Sequence, residues 1–207
     1  GRLARGLRLF VHLGMTGWFE RAKAGADAPR FERVGFELAR ADARGRSRIS
    51  FTDPRRWGRV VLAGEDFEAW SALGPDPLLD GVDPDVLLRR LARSKKRTIK
   101  EALLDQTVLA GVGNILSIES LWKAKIDPRS RASALTAKQV RTLEQCLHWA
   151  IERALKSLSR RDHAEINPFV VYGRKGEPCP RCGARFKRIE LAGRTTTFCP
   201  GCQVRSR

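Results

Sequence analysis

Four cysteines near the end of the chain have the spacing of a metal site. Cys179 and Cys182 form one CxxC pair, and Cys199 and Cys202 form a second, with 16 residues between the pairs. Each pair spans one tight turn, so its two sulfurs can reach one ion from the same side. Four thiolates in a tetrahedron suit Zn²⁺ and leave no open coordination position. We therefore predict one structural zinc ion, with two disulfides or an iron–sulfur cluster as the alternatives.

The residues around these cysteines are basic and rich in turns. The segment is too short to bury a core of its own, so a bound metal would supply its folding energy. Between the pairs, basic residues and three consecutive threonines predict a short β-hairpin with a basic tip that includes Arg194. The functional interpretation is an arginine that inserts against a phosphate or into a groove. The alternative is a generic zinc ribbon that only braces its neighbours.

The charge of the chain favours a polyanionic partner. Its 207 residues include 40 Lys plus Arg against 23 Asp plus Glu, a net charge of +17. Basic groups that neutralise phosphates release condensed counterions, which favours binding; a basic, solvated surface without a partner is the alternative. The hydrophobic share of 42% is enough for a buried core.

The sequence also indicates the cellular compartment of the protein. No run of 18 apolar residues occurs, so we expect no membrane-spanning helix, and the basic start fits a strand better than a signal peptide. Paired cysteines of this kind indicate a reducing compartment. Cys146, which stands apart from them, and His148 fall on or beside an apolar helical stripe, so we expect both to pack rather than bind metal. We therefore predict a cytoplasmic protein that makes no contact with membranes.

Three regions with different patterns must position these residues. Residues 1–72 alternate with strand period between glycines and predict four strands, at Leu7–Leu13, Phe31–Ala39, Arg48–Thr52 and Val60–Leu62. Residues 73–163 are helical in pattern, with helices expected from Pro84, over 98–105, over 115–124 and after a capping box at Thr136 and Gln139. Residues 164–207 form the zinc finger, preceded by a polar linker over 160–167.

Five short strings in one order carry a family resemblance. They are His12–Gly17, Thr52–Gly58, Lys96–Ile115, Val171–Cys179 and Gly193–Cys199. With the zinc spacing, the chain from Val11 to Gln203 resembles the formamidopyrimidine-DNA glycosylase/endonuclease VIII family of base-excision repair enzymes. The resemblance implies an α+β fold: a β-sandwich, here truncated, a helix-two-turns-helix domain and a β-hairpin zinc finger. Double-stranded DNA with a damaged or abasic nucleotide would lie in the cleft between the two lobes.

The resemblance assigns roles to residues of the first region. Met15 matches the methionine that fills the gap left by a flipped-out base, and a long thioether suits a wedge of this kind. Arg55 matches the arginine that contacts the orphaned base, and Arg56 beside it is also expected to bind DNA. Trp57 stands where the family usually has an intercalating phenylalanine; tryptophan is likewise a flat wedge.

The resemblance also assigns roles beyond the first region. Lys95 and Lys100 match lysines that contact DNA or the lesion. Asn114 opens a helix at a glycine turn, where free N–H groups favour a phosphate, and matches the asparagine that grips the backbone near the damaged nucleotide. Arg194 matches the zinc-finger arginine that clamps the same phosphates and is linked to the last elimination step.

The family's chemistry, as the resemblance implies it, needs groups that this sequence lacks. The nucleophile is an N-terminal proline amine that forms a Schiff base, followed by a glutamate proton donor and assisted by a strand lysine. Here the sequence begins Gly1-Arg2-Leu3 and has no lysine before Lys23. Because these groups are absent, we do not expect this sequence to carry out the reaction by itself. We expect a piece of a bifunctional DNA glycosylase and abasic-site lyase, or else a natural remnant that binds damaged DNA without cutting it.

Two further questions concern specificity and class. The connection from Ser159 to Val171 is shorter than the loop that usually covers an oxidised purine in formamidopyrimidine-type members. Oxidised pyrimidines therefore remain possible substrates.

A third hypothesis is a zinc-ribbon protein that binds RNA or protein and only resembles the repair fold. The combination of Met15, Arg55 and Trp57 argues against it.

Overall fold

A computed structural model describes residues 7–39, 46–64, 67–159 and 169–206 of the chain. The chain divides into two compact units, Gly1–Ser71 and Ala72–Arg207. The described residues do not include the polar linker predicted over 160–167. They also exclude most of the connection from Ser159 to Val171.

The described residues of the first unit form two antiparallel sheets. One pairs β1 (Arg8–His12) with β5 (Arg59–Ala63). In the other, β4 (Arg46–Thr52) lies between β2 (Trp18–Lys23) and β3 (Glu32–Ala39). All four predicted strands are therefore present. The sequence did not predict β2, because most of its side chains are exposed and do not alternate between apolar and polar.

A short helix and aromatic contacts complete the first unit. Helix α1 (Glu68–Ser71) follows the strands. The ring of Phe10, on β1, packs against Phe67 and Trp70 at centroid distances of 4.9 and 5.4 Å. Phe51, on β4, is 2% exposed and packs against Phe19 of the neighbouring strand at 5.5 Å.

Helices dominate the second unit. They are α2 (Pro84–Arg93), α3 (Ile99–Leu104), α4 (Asn114–Lys123) and α5 (Ala137–Ser159). Two of them, α2 and α5, begin at the caps that the sequence predicted. Asp83 caps α2 by accepting hydrogen bonds from two backbone N–H groups. Before α5, Gln139 donates its N–H to the Thr136 hydroxyl at 3.3 Å, and its side chain accepts from Thr136 N–H at 2.9 Å. The apolar faces of these helices share one core that includes Leu87, Leu91, Leu103, Leu121, Leu143 and Leu147.

The end of the chain packs on helix α4. Strands β6 (Lys187–Leu191) and β7 (Arg194–Phe198) form the expected hairpin. A second core joins α4 to this segment through buried residues, including Ile118, Trp122, Val171 and Phe186. Cys146 packs in the interior as expected, and burial raises the pKa of its thiol.

The architecture is α+β, with two sheets, a helical region and a C-terminal hairpin that carries the cysteines. Within the described ranges, none of the helices combines the length and the apolar run that crossing a membrane requires.

Candidate nucleic-acid interface and metal centre

One buried carboxylate joins the turn that carries Met15 (residues 13–17, the Met15 turn) to the loop that carries Arg55 (residues 53–58, the Arg55 loop). Asp53 Oδ1 accepts hydrogen bonds from the Thr16 hydroxyl at 2.6 Å and from its own loop's Arg55 N–H at 3.2 Å. Its Oδ2 accepts from Gly58 N–H at 2.7 Å. These bonds, that of Thr16 above all, hold the pKa of Asp53 below its ordinary value because they favour the charged form. An ionised carboxylate thus fixes the two segments side by side.

Gly14 allows the Met15 turn to approach the Arg55 loop, and Gly58 allows that loop to approach Phe51 of β4. Gly14 has a φ of +65°, and a Cβ there would lie 2.9 Å from the backbone of Trp57 and Gly58. A Cβ on Gly58 would lie 2.4 Å from the ring of Phe51. Side-chain carbons do not come this close to other atoms, so both positions require glycine.

The side chains that the two segments present are large and exposed. Met15 is 62% exposed and Trp57 is 53% exposed. The Arg55 guanidinium lies 5.1 Å from the centre of the Trp57 ring. Arg56 is also exposed and has a φ of +59°, which is unusual for a residue other than glycine. The structure therefore brings these four predicted residues together at one surface of the first unit.

Lys95 lies in a basic cleft of the second unit. The cleft has a volume of about 680 Å³, and its charged lining residues are Arg90, Arg93, Lys95, Lys96, Arg97 and Asp105. Five cations against one carboxylate give the cleft a positive potential, which attracts phosphates. Lys95 itself is exposed and can reach a ligand.

Lys100 differs from the other predicted DNA-binding residues, because its side chain is fully buried. Its Nζ donates hydrogen bonds to the carbonyl oxygen of Asn114 at 3.0 Å and to Ser117 Oγ at 2.6 Å. Burial lowers the pKa of Lys100 to about 7, since removal from water disfavours the ammonium. With no exposed surface in this structure, Lys100 gives no support to the direct DNA contact, which stays a prediction. Lys100 instead holds the first turn of α4.

Asn114 is half-buried at the start of α4 and faces the zinc finger. Its Nδ2 donates a hydrogen bond to the Thr195 carbonyl oxygen of β7 at 3.0 Å. Its Oδ1 is buried, and no described residue hydrogen-bonds to it. The N-cap residue is Gly113, which offers no side-chain cap, so the first N–H groups of α4 are left for another acceptor.

Arg194 is exposed directly after the turn of the finger hairpin. The turn residues Ala192 and Gly193 have φ values of 52° and 63°. A two-residue turn with both φ values positive matches the twist of the flanking strands. Arg194 pairs in register with Leu191, so it is held at the tip of the hairpin, as the sequence predicted.

The four cysteines fit a zinc ion. Their sulfurs all lie within 4.8 Å of one another, with Cys179 Sγ 3.9 Å from Cys202 Sγ and Cys182 Sγ 3.4 Å from Cys199 Sγ. A tetrahedral site with Zn–S bonds of about 2.3 Å requires sulfur–sulfur separations of roughly 3.8 Å. The site would hold one structural Zn²⁺, because four protein thiolates fill its coordination positions.

Sequence patterns missed several residues that organise the site. Asp53 lies within the Thr52–Gly58 string, but the sequence assigned it no role. Glu119 is 1% exposed and accepts hydrogen bonds from three consecutive backbone N–H groups, those of Val170, Val171 and Tyr172. These contacts join residues 51 to 53 positions apart, so no local pattern signals them. The sequence shows only that Glu119 is an acidic residue within a largely apolar helical segment.

Three family models match successive parts of the chain. Residues 2–60 match the formamidopyrimidine-DNA glycosylase N-terminal domain, and residues 73–162 match the H2TH domain of the same glycosylase. Residues 176–204 match the zinc finger found in FPG and IleRS. The last match covers all four cysteines, and so supports the assignment of a structural zinc site.

Curated relatives match nearly the whole chain. The formamidopyrimidine-DNA glycosylase of Desulfitobacterium hafniense is 37% identical over 216 residues, covering 98% of this chain and 77% of that protein. The formamidopyrimidine-DNA glycosylase of Chloroflexus aggregans is 38% identical over 216 residues, covering 98% of this chain and 76% of that protein.

Solved structures agree in fold. Lactococcus lactis formamidopyrimidine-DNA glycosylase, bound to DNA containing an abasic site, has a TM-score of 0.79 and 31% identity, covering 98% of this chain and 76% of that one. MutM in complex with DNA containing carbocyclic 8-oxo-G has a TM-score of 0.78 and 31% identity, covering 97% and 75%. With matching sequence, fold and metal ligands, this chain belongs to the formamidopyrimidine-DNA glycosylase family of DNA-repair enzymes.

Proposed function

We propose that this protein recognises a damaged or abasic nucleotide in duplex DNA and serves base-excision repair as a DNA glycosylase with abasic-site lyase activity on oxidised bases. The observation that carries the proposal is the Asp53 carboxylate, which joins the Met15 turn to the Arg55 loop. The solved relatives support it, since they hold DNA with an abasic site, a carbocyclic 8-oxo-G or a Fapy-dG.

The surface around Asp53 matches a base step that has been opened. Met15 and Trp57 are apolar and exposed, so they can replace the stacking that is lost when a nucleotide leaves the helix. The guanidiniums of Arg55 and Arg56 can donate to base edges or phosphates on the same side. Because hydrogen bonds to Asp53 hold both segments, the wedge is formed before DNA arrives and loses little conformational entropy on binding.

The second unit offers sites for the DNA backbone. The N–H groups of the first turn of α4, the exposed Arg194 and the basic cleft around Lys95 can each neutralise or bind a phosphate. Phosphate contacts of this kind fix register without reading sequence. Lys100 acts indirectly, since it holds the carbonyl of Asn114 at the start of α4.

Binding to a duplex with an abasic site tests the proposal directly. We expect the chain to bind a duplex with a central tetrahydrofuran abasic analogue at least about tenfold more tightly than the intact duplex at one salt concentration. Met15→Ala should lower this ratio. Leu62→Ala, which removes a comparably exposed apolar side chain from β5, should not. Equal affinity of the unaltered chain for both duplexes would refute damage recognition.

Covalent trapping separates the enzyme from its alternative. The chemistry implied by the family resemblance uses an N-terminal proline amine. We expect the chain, extended by the family's proline-led N-terminal segment, to form a borohydride-trapped adduct with abasic DNA. Damage-specific binding without an adduct would favour the second candidate, a non-catalytic damaged-DNA-binding zinc-finger protein. Parallel reactions on oxidised purines and pyrimidines would determine the preferred lesion.

The organisation and location of the protein are part of the same proposal. We place the β-sandwich portion at residues 1–72, the helix-two-turns-helix domain at 73–163 and the zinc finger at 164–207. A bacterial protein that repairs chromosomal DNA would work as a monomer at the nucleoid, in the cytoplasm. The relatives named above are bacterial, which supports this assignment.

A further inference from the structure

Trp122 and Arg181 lie against the four-cysteine site without belonging to its ligand set. Trp122, on α4, is 6% exposed, and its indole Nε1–H donates to Cys179 Sγ at 3.4 Å. The Arg181 guanidinium lies 4.3 Å from the centre of the Trp122 ring. Its Nη1 is 3.7 Å from Cys202 Sγ. Two of the four ligands therefore receive N–H donors from neighbouring side chains.

The end of helix α4 holds Arg181 in this position. Its guanidinium donates hydrogen bonds to the carbonyl oxygens of Trp122 at 3.0 Å and Lys123 at 3.3 Å. Terminal carbonyls of a helix carry partial negative charge, so a cation there is favourable. The guanidinium thus contacts the helix end, the indole face and a cysteine sulfur together.

The chemistry of a four-thiolate zinc site explains how N–H donors from Trp122 and Arg181 would stabilise it. A divalent ion with four thiolates carries net negative charge, and N–H donors to sulfur stabilise that charge and orient the ligand. A cation over an aromatic face attracts its electron density. The field of Arg181 makes the indole N–H a stronger donor to Cys179, because neighbouring polar interactions polarise one another.

We propose that Trp122 is a positioning residue for the metal site: its indole N–H holds Cys179 as a zinc ligand, and Arg181 strengthens that hydrogen bond. Helix α4 is then fastened to the finger at both ends, by Trp122 to Cys179 and by Asn114 to Thr195. Metal occupancy is therefore coupled to the placement of α4. This inference concerns the zinc site and stands independently of the proposed catalytic function.

Trp122→Phe tests the proposal, because it keeps an aromatic ring beside Arg181 and removes only the N–H donor and part of the ring. The matched control is Trp149→Phe, since Trp149 packs on Trp122 at a centroid distance of 6.5 Å and is half-buried. Zinc affinity, measured by competition with a chelator, should fall about tenfold in Trp122→Phe, within the range for loss of a partner to a metal ligand. It should stay close to that of the unaltered protein in Trp149→Phe. Equal zinc affinity of Trp122→Phe and the unaltered protein would overturn the proposal.

Cobalt substitution separates hydrogen bonding to sulfur from packing. A hydrogen bond stabilises the sulfur lone pairs, so its loss should shift the sulfur-to-Co²⁺ charge-transfer band of Trp122→Phe to longer wavelength. Loss of packing alone, as in Trp149→Phe, should leave the band in place. Arg181→Met should also shift the band to longer wavelength, because it removes the donor to Cys202 as well as the cation beside the indole. This variant tests hydrogen bonding to sulfur even if Trp122→Phe does not fold. An unshifted band in every variant that folds would contradict the N–H···S contact.

Discussion

The hydroxyl of Thr16 donates a 2.6 Å hydrogen bond to the carboxylate of Asp53, across 37 residues of sequence. The same carboxylate accepts from the backbone of the Arg55 loop. The exposed side chains of the Met15 turn and the Arg55 loop therefore keep their relative positions through a residue that is itself buried. The surface that we propose for lesion recognition therefore depends on Asp53, a residue with no exposed surface of its own.

Thr16→Val should reduce discrimination between damaged and intact DNA. The substitution keeps the shape of the side chain but removes the donor to Asp53, so the Met15 turn loses its tie to the Arg55 loop. We expect the affinity ratio for tetrahydrofuran over intact duplex to fall severalfold, with binding to intact DNA unchanged, since a hydrogen bond to a charged group is among the stronger ones. Fluorescence anisotropy would measure both affinities. Thr142→Val is the control, because its hydroxyl bonds only within α5; a similar fall there would contradict the specific role of Thr16.

Trp57→Ala should weaken binding to damaged duplex more than Trp57→Phe does. The indole is 53% exposed, and stacking of a base on an aromatic ring is worth about 1–3 kcal/mol. We therefore expect a loss of roughly tenfold or more for alanine and a much smaller loss for phenylalanine, which retains a flat ring. Titrations of a tetrahydrofuran duplex would show the order. Equal losses for the two variants would indicate that Trp57 supports the loop and does not stack on DNA.

Local patterns in the sequence predicted the elements that depend on local chemistry. CxxC spacing identified the zinc ligands, and the Thr136–Gln139 capping box marked the start of α5. The same patterns missed β2, whose exposed residues carry no strand period. They also missed the burial of Lys100, because a lysine in a polar string is usually solvated. Its partners Asn114 and Ser117 lie 14 and 17 residues away, so only the tertiary fold creates that site.

Lys100→Met should flatten the dependence of stability on alkaline pH. The folded pKa of Lys100 is about 7 because of burial, whereas an unfolded lysine titrates near 10.4. Between these values the unfolded chain binds more protons, so the free energy of unfolding rises with pH. Below pH 7 Lys100 is protonated in both the folded and the unfolded chain, so it no longer makes the free energy of unfolding change with pH. From pH 7 to 10, the free energy of unfolding of the unaltered protein should rise by on the order of 4 kcal/mol relative to that of Lys100→Met. Urea unfolding across this range measures the gain, and the exposed control Lys138→Met should follow the unaltered protein; parallel profiles for Lys100→Met would refute the burial.

Removal of the metal should unfold the finger before the helices. The segment that carries the cysteines has few buried apolar residues of its own, and a structural zinc supplies most of the folding free energy of such segments. After chelation, the amides of β6 and β7 should exchange rapidly with deuterium while the middle of α5 stays protected. Mass analysis should find one zinc per chain, retained in Cys146→Ser and lost in Cys179→Ser. Protected β6 and β7 amides in the metal-free protein would show that zinc is not required there.

Arg194→Ala should weaken DNA binding and lower its salt dependence. Arg194 is exposed at the hairpin tip, where its guanidinium can neutralise one phosphate and release counterions. Removing one such contact should reduce the slope of log affinity against log salt by about 1, with a similar loss for damaged and intact duplexes. Arg185→Ala provides the matched control, because it removes an arginine of the same finger whose guanidinium is already bound to the Gly176 carbonyl oxygen at 2.9 Å. Anisotropy titrations at several salt concentrations give both slopes. If the slope for Arg194→Ala equals that of the unaltered protein, Arg194 does not contact a phosphate, and the hairpin acts only as a brace for α4.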